Sequence, residues 1–166
     1  CWRNHITVEK ISLSSQCIDV KVSYNGLEVL FSFVYVSTNA EESKKLWIHL
    51  EFLQVGSHPW VVGGDFNTIL HGSEKEWGLA ATTSGMPDFN QFIRAAGLFD
   101  LGFSGPKFTW CNNRKGQHQI WSGLDRCLTN IQGLDSFSKT KVTYIPRALS
   151  DHATLLIEIR KEAMRP

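Results

Sequence analysis

Apolar and polar residues alternate through the first third of the chain with the period of a half-buried strand. Between Cys17 and Tyr24, the residues Ile18, Val20, Val22 and Tyr24 are separated by polar ones, which predicts a strand with one face turned inward. Asn25-Gly26 follows at once, a dipeptide suited to the positive φ angles of a tight hairpin turn. Leu27 to Val36 then reads as a strongly apolar strand ending in Phe33-Val34-Tyr35-Val36, and a weaker strand is expected over Ile6 to Leu13.

The period changes after Val36. Ser37-Thr38-Asn39 offers N-cap candidates, Glu41 and Glu42 fall where a first turn favours acids, and Leu46, Trp47, Leu50 and Leu53 recur at helical spacing up to Gly56. Trp60 to Gly64 is a continuous apolar run, as expected of a buried strand. A polar loop from His71 to Gly85 leads to a second helix. There Pro87 suits the first turn, Phe89, Phe92, Ile93 and Ala96 form the buried stripe, and Gly97 can end it. Short strands are expected over Phe108-Thr109-Trp110, Ile120 to Leu128, Val142 to Ile145 and Ala153 to Ile159. No repeat or low-complexity linker interrupts the pattern, so residues 1–166 are expected to form a single domain of α/β or α+β class with large sheets.

Composition narrows this modestly. A chain of 166 residues with 42% hydrophobic and 20% charged residues can bury one core. Lys+Arg 17 against Asp+Glu 16 leaves a formal charge of +1, so neither a charged tail nor a strongly charged disordered chain is present, and bulk charge names no partner. The cysteines Cys1, Cys17, Cys111 and Cys127 form no C-x-x-C pair, and Cys17 and Cys127 read as free buried thiols. The chain opens on Cys1 and its only methionines are Met86 and Met164, as expected of a start inside a longer reading frame, of a processed product or of an incomplete gene model. Neither a secretory signal nor an apolar run of about 18 residues is visible, so no membrane partner is expected.

Three short motifs could carry chemistry. Gly63-Gly64-Asp65-Phe66-Asn67 places a carboxylate and an amide two residues apart at a strand end, where both could address one phosphate or one water; an Asx-rich turn accounts for the same residues. Ser150-Asp151-His152 precedes the last strand, where Asp can orient an imidazole, bind a metal or cap a turn. Leu124-Asp125-Arg126 puts an Asp in a strand, which an ion pair with the adjacent arginine would explain.

Taken in order, Val34-Tyr35, Gly64-Asp65-Phe66-Asn67, Phe108-Thr109-Trp110, Leu124-Asp125-Arg126 and Ser150-Asp151-His152 form a set that resembles the endonuclease/exonuclease/phosphatase superfamily. Within it, the stretch from Asp100 through Gly105, Pro106 and Lys107 to Asn130 is similar to the endonuclease domain of non-LTR (LINE-type) retrotransposon polyproteins, especially plant ones. The resemblance implies a DNase I-like two-sheet β-sandwich flanked by helices. It also implies hydrolysis of DNA phosphodiesters with Mg²⁺ or Mn²⁺, in a nuclear setting if genomic DNA is the substrate, with the rest of a retrotransposon polyprotein as a further partner. Carried over by residue, Asp65 activates or positions water, Asn67 holds the nucleophile and phosphate, and Tyr35 contacts the scissile phosphate region. Asp151 helps bind the metal, Asp125 orients His152, and His152 donates to a phosphate oxygen. Lys107, Arg114, Lys115 and Arg126, near Trp110 and Trp121, could contact phosphates; a solvated charged loop over core tryptophans explains the same residues.

The sequence departs from that family at its beginning. Family members open with a strand bearing an Asn and a second bearing a metal-binding Glu, both upstream of where Trp2-Arg3-Asn4 falls, and Asn4 and Glu9 lie in the wrong segment to replace them. The domain is therefore expected to be incomplete at its N-terminal side, with weakened metal binding and part of the cover over Val34, Val61 and Val62 missing. A catalytically inert remnant and a phosphatase of the same superfamily, acting on phosphoinositides or sphingomyelin, are the alternative readings.

Overall fold

The computed structural model describes residues 5–53, 56–77, 85–137 and 139–160; Cys1, the Trp2-Arg3-Asn4 segment and Met164 lie outside them. The alternating segments form three antiparallel strands, β1 (Ile6–Leu13), β2 (Cys17–Tyr24) and β3 (Leu27–Tyr35). Asn25 and Gly26 take φ values of 48° and 73°, so the hairpin turns where the dipeptide predicts. Helix α1 (Ala40–Phe52) begins at Asn39, whose side chain accepts from the Glu41 and Glu42 amides. It carries the chain across to β4 (Trp60–Asp65), which pairs parallel to β3. Helix α2 (Met86–Ala95) closes in a Schellman motif: Gly97, at φ 61°, donates to Arg94 O and Leu98 donates to Ile93 O.

Between the helices lies the two-residue strand β5 (Lys75–Glu76), and after α2 come β6 (Phe99–Asp100), β7 (Trp110–Cys111), β8 (Trp121–Ser122) and β9 (Asp125–Thr129). Helix α3 (Ile131–Ser136), β10 (Lys139–Ile145) and β11 (Thr154–Arg160) complete the chain. The strand expected over Ile120 to Leu128 is thus two strands in different sheets. Thr109 Oγ1 accepts the amides of Leu124 and Asp125, and Gly123 donates to Glu74 O, so the backbone leaves one ladder before joining the next. Strands β5 and β6 and helix α3 are too short to show a period. Helix α3 is marked instead by its cap, Asn130, which accepts from Gly133 N.

Six strands form the main sheet in the order β1-β2-β3-β4-β9-β6, with β5-β8-β7 and β10-β11 as separate sheets. Helices α1 and α2 cover one face, where Trp47 stacks on Phe66, Phe89 and Phe92 at centroid distances of 6.4, 5.4 and 4.9 Å. Each such fully buried side chain contributes about 1.5–3 kcal/mol. On the other face, β10 and β11 pack Val142 and Tyr144 against Val29, Val61 and Cys127. The expectation that Val34, Val61 and Val62 lack part of their cover fails. Val34, Val61 and Val62 are buried, Val34 and Val62 under the helices and Val61 under β10–β11. Leu13, Ile18, Phe33 and Tyr35 are instead exposed at 63%, 44%, 50% and 66%, outside both core clusters. Cys17, Cys111 and Cys127 are free and buried, and no helix among the described residues is long and apolar enough to cross a membrane.

Candidate active site

Three separated segments bring Asp65, Asp125 and His152 together at one end of the main sheet. Asp65 ends β4 and Asp125 begins β9, and the two are direct antiparallel partners, so both carboxylates leave the sheet on the same face. His152 lies just before β11 and bridges to Trp110 of β7. Its Nδ1 is 3.0 Å from Asp125 Oδ2, and its Nε2 is 3.7 Å from Asp65 Oδ2. Gly64 makes this placement possible: at φ 142°, a Cβ there would meet Val34 O at 2.1 Å, so only glycine lets β4 run this close to β3.

The surrounding groups fix the cluster. Asn67, at φ 49°, donates its backbone N–H to Asp65 Oδ1 at 2.9 Å and its side-chain amide to Val36 O at 2.7 Å. Tyr144 donates its hydroxyl to Asp125 O at 2.6 Å. The Tyr144 hydroxyl had no sequence signal beyond an aromatic in a strand. The Thr109 hydroxyl, which accepts the Asp125 amide, and the Trp110 indole lay inside the Phe108-Thr109-Trp110 motif, but their partners are set by the fold. Tyr35 sits opposite Asp65 in the sheet register and is two-thirds exposed. Asp151 is exposed; Trp110 Nε1 donates to its Oδ2 at 3.1 Å, and this hydrogen bond holds the carboxyl below its usual range. A cleft of about 340 Å³ opens beside Asn67, with Thr68, Lys75, Trp110, Ile120 and Leu124 on its walls.

Two sequence expectations fail here. Asp125 does not pair with its neighbour Arg126, because successive strand residues face opposite ways. The Arg126 guanidinium is buried, held by Glu74 and by Asp100 at 3.0 Å, so it is a structural tie between segments and not a phosphate contact. Of the other basic residues, Lys107 lies over the Phe108 ring at 5.0 Å, while Arg114 and Lys115 are exposed between β7 and β8. Trp121 is covered by the guanidinium of Arg147 at 4.6 Å.

The electrostatics of the cluster suit a cation. Burial pushes the Asp65 carboxyl up to about 6; the Asn67 amide opposes this, and the Asp125 charge adds to it. Two buried carboxylates side by side thus carry negative charge that protein groups do not fully neutralise. Asp65, Asp125 and His152 each offer one ligand atom, all within 4.8 Å of one another. This oxygen-rich set fits a hard divalent cation. The Asp151 carboxylate stands next to the group, turned to Trp110.

No family model and no curated protein sequence matches the chain. Solved structures do. The endonuclease domain of TRAS1, a telomere-specific non-LTR retrotransposon, superposes with a TM-score of 0.71 at 17% identity over 98% of this chain and 72% of that one. The 3′ phosphatase NExo from Neisseria, bound to a product DNA hairpin, gives 0.62 at 16% identity over 95% of this chain and 71% of that one. Beta toxin from Staphylococcus aureus gives 0.60 at 13% identity, over 87% of this chain and 57% of that one. With its helix-covered main sheet and second sheet, the chain has the DNase I-like fold of the endonuclease/exonuclease/phosphatase proteins.

Proposed function

We propose that the chain is the larger part of a divalent-metal-dependent DNA endonuclease domain of the LINE retroelement type, hydrolysing phosphodiester bonds at the Asp65–Asp125–His152 cluster. The observation that carries this reading is the convergence of these three side chains, from positions far apart in sequence, at one sheet end beside a cleft. Asp125 accepts from His152 Nδ1–H, which fixes the ring and leaves Nε2 to donate to a phosphate oxygen as negative charge develops there. Asp65, with a pKa near 6 before any cation binds, is mostly ionised at neutral pH and positions the attacking water. Asn67 holds that carboxylate through its backbone amide, and Tyr35, one strand away, borders the phosphate. A divalent cation held by Asp65 and Asp125, with Asp151 beside it, would neutralise phosphate charge and acidify bound water.

One observation supports the view that this domain is incomplete at its N-terminal side. Leu13, Ile18 and Phe33 are cross-strand neighbours forming an exposed apolar ladder that leads to Tyr35 at the site. The chain spans 57–72% of the length of the three similar structures. That exposed apolar surface favours an inert or weakly active isolated chain as the second reading. The test is a plasmid-nicking assay with Mg²⁺ or Mn²⁺ on three proteins: the 166-residue chain, a version extended upstream in its reading frame, and that version carrying His152→Ala. Nicking is expected from the extended version only. Absence of nicking by the extended version would refute the nuclease reading, and strong nicking by the short chain would refute incompleteness.

A further inference from the structure

A second cluster lies on the opposite face of the main sheet, and the proposed reaction does not use it. Cys17 and Asp19 are two residues apart on β2 and so share a face, and His49 of α1 lies over them. Cys17 Sγ is 3.2 Å from Asp19 Oδ1, and His49 Nε2 is 2.7 Å from Asp19 Oδ2. Asp19 is 1% exposed and Cys17 3%, while the His49 side chain is 38% exposed and gives solvent a path to the group. We propose that Cys17, Asp19 and His49 form a metal site for a zinc-type cation that clamps the β1–β2 hairpin to α1.

Burying an ionised carboxylate and a thiol beside an imidazole is costly unless something holds them. In this structure protons do so, with Cys17, Ser12, Ser32 and His49 all directed at the Asp19 carboxylate. The sulfur, the imidazole nitrogen and the carboxylate oxygen all lie within 4.8 Å of one another, and this mixed S/N/O set is the one zinc takes. On binding, the Cys17 thiol releases its proton to solvent and the sulfur bonds the ion. His49 presents its Nε2 lone pair with the ring proton on Nδ1, and Asp19 supplies one oxygen. A hydrolytic triad is excluded by geometry, since Ser12 Oγ and Asp19 Oδ2 both face the same ring nitrogen, at 3.4 and 2.7 Å, leaving no relay through the ring. The site is also chemically distinct from the Asp65 cluster, which has no sulfur and suits a harder ion.

The test is a Co²⁺ titration of the metal-stripped 166-residue chain in a Cys1→Ser background, which removes the terminal thiol. One equivalent of Co²⁺ should produce a thiolate-to-cobalt charge-transfer absorption that Zn²⁺ abolishes. Cys17→Ser should eliminate the band, and Asp65→Asn should leave it intact. Should Cys17→Ser fail to fold, His49→Gln, at a half-exposed helix position, serves in its place and should weaken Co²⁺ binding at least tenfold while the far-ultraviolet circular dichroism is unchanged. No charge-transfer band on the folded chain, a band that survives Cys17→Ser, or an unchanged affinity in His49→Gln would each overturn the proposal.

Discussion

Asp65→Asn should make the protein more stable at neutral pH while removing the carboxylate proposed to position water and hold the cation. The carboxyl is raised from 3.8 to about 6, first by burial, and the Asp125 charge adds to the rise. A carboxyl whose pKa is higher in the fold than in the unfolded chain favours the fold below about pH 4, and that preference is lost as the pH climbs through 6. At pH 7.5 the native state therefore carries an ionised Asp65 at a cost. A rise of that size corresponds to about 3 kcal/mol; screening by the remaining solvent contact reduces this to about 1–2 kcal/mol. Asparagine keeps an oxygen that can accept the Asn67 amide, now 2.9 Å from Oδ1, and has no charge to desolvate. Urea unfolding in EDTA should show the variant more stable by about that amount at pH 7.5 and nearly equal at pH 4. Adding Mg²⁺ should then stabilise the wild-type chain and leave the variant unchanged, because a ligand stabilises only the state that binds it. A variant no more stable than wild type at pH 7.5, or one offset by the same amount at both pH values, would refute the argument that Asp65 is a destabilised, functionally retained charge.

Three further substitutions test the scaffold. Gly64→Ala should destabilise the fold by about 3 kcal/mol or more, read as a lower urea midpoint, because the new Cβ would collide with Val34 O at 2.1 Å and the backbone holds φ 142°. Arg126→Met should cost about 2–4 kcal/mol by leaving Glu74 and Asp100 without their shared cation, again read by urea unfolding. Asn39→Ala should cost about 1 kcal/mol through loss of the α1 cap, measured as a downward shift in thermal midpoint.

The sequence alone determined what depends on near neighbours. The β2–β3 hairpin follows from alternation around Asn25-Gly26, the start of α1 from the Ser37-Thr38-Asn39 cap candidates, of which Asn39 is the cap, and the end of α2 from Gly97, because each is fixed by hydrogen bonds and φ angles within a few residues. It also placed Asp65 at the end of a strand and His152 just before one, whereas Asp125 read as an interior strand residue and begins β9 only in the fold. Tertiary structure decided which side chains meet. Asp125 turns to His152, 27 residues away, while Arg126 turns to Glu74, 52 residues away, because the β4–β9 register and the alternation of faces send neighbours in opposite directions. The same pairing splits Ile120 to Leu128 between two sheets and gives β5 and β6 strand geometry through partners alone. It also leaves Leu13, Ile18 and Phe33 uncovered while burying Val34, Val61 and Val62. Neither the Asp19 cluster nor the raised pKa of Asp65 has a local signature, since both arise from burial between layers, and burial is a property of the whole packed sheet.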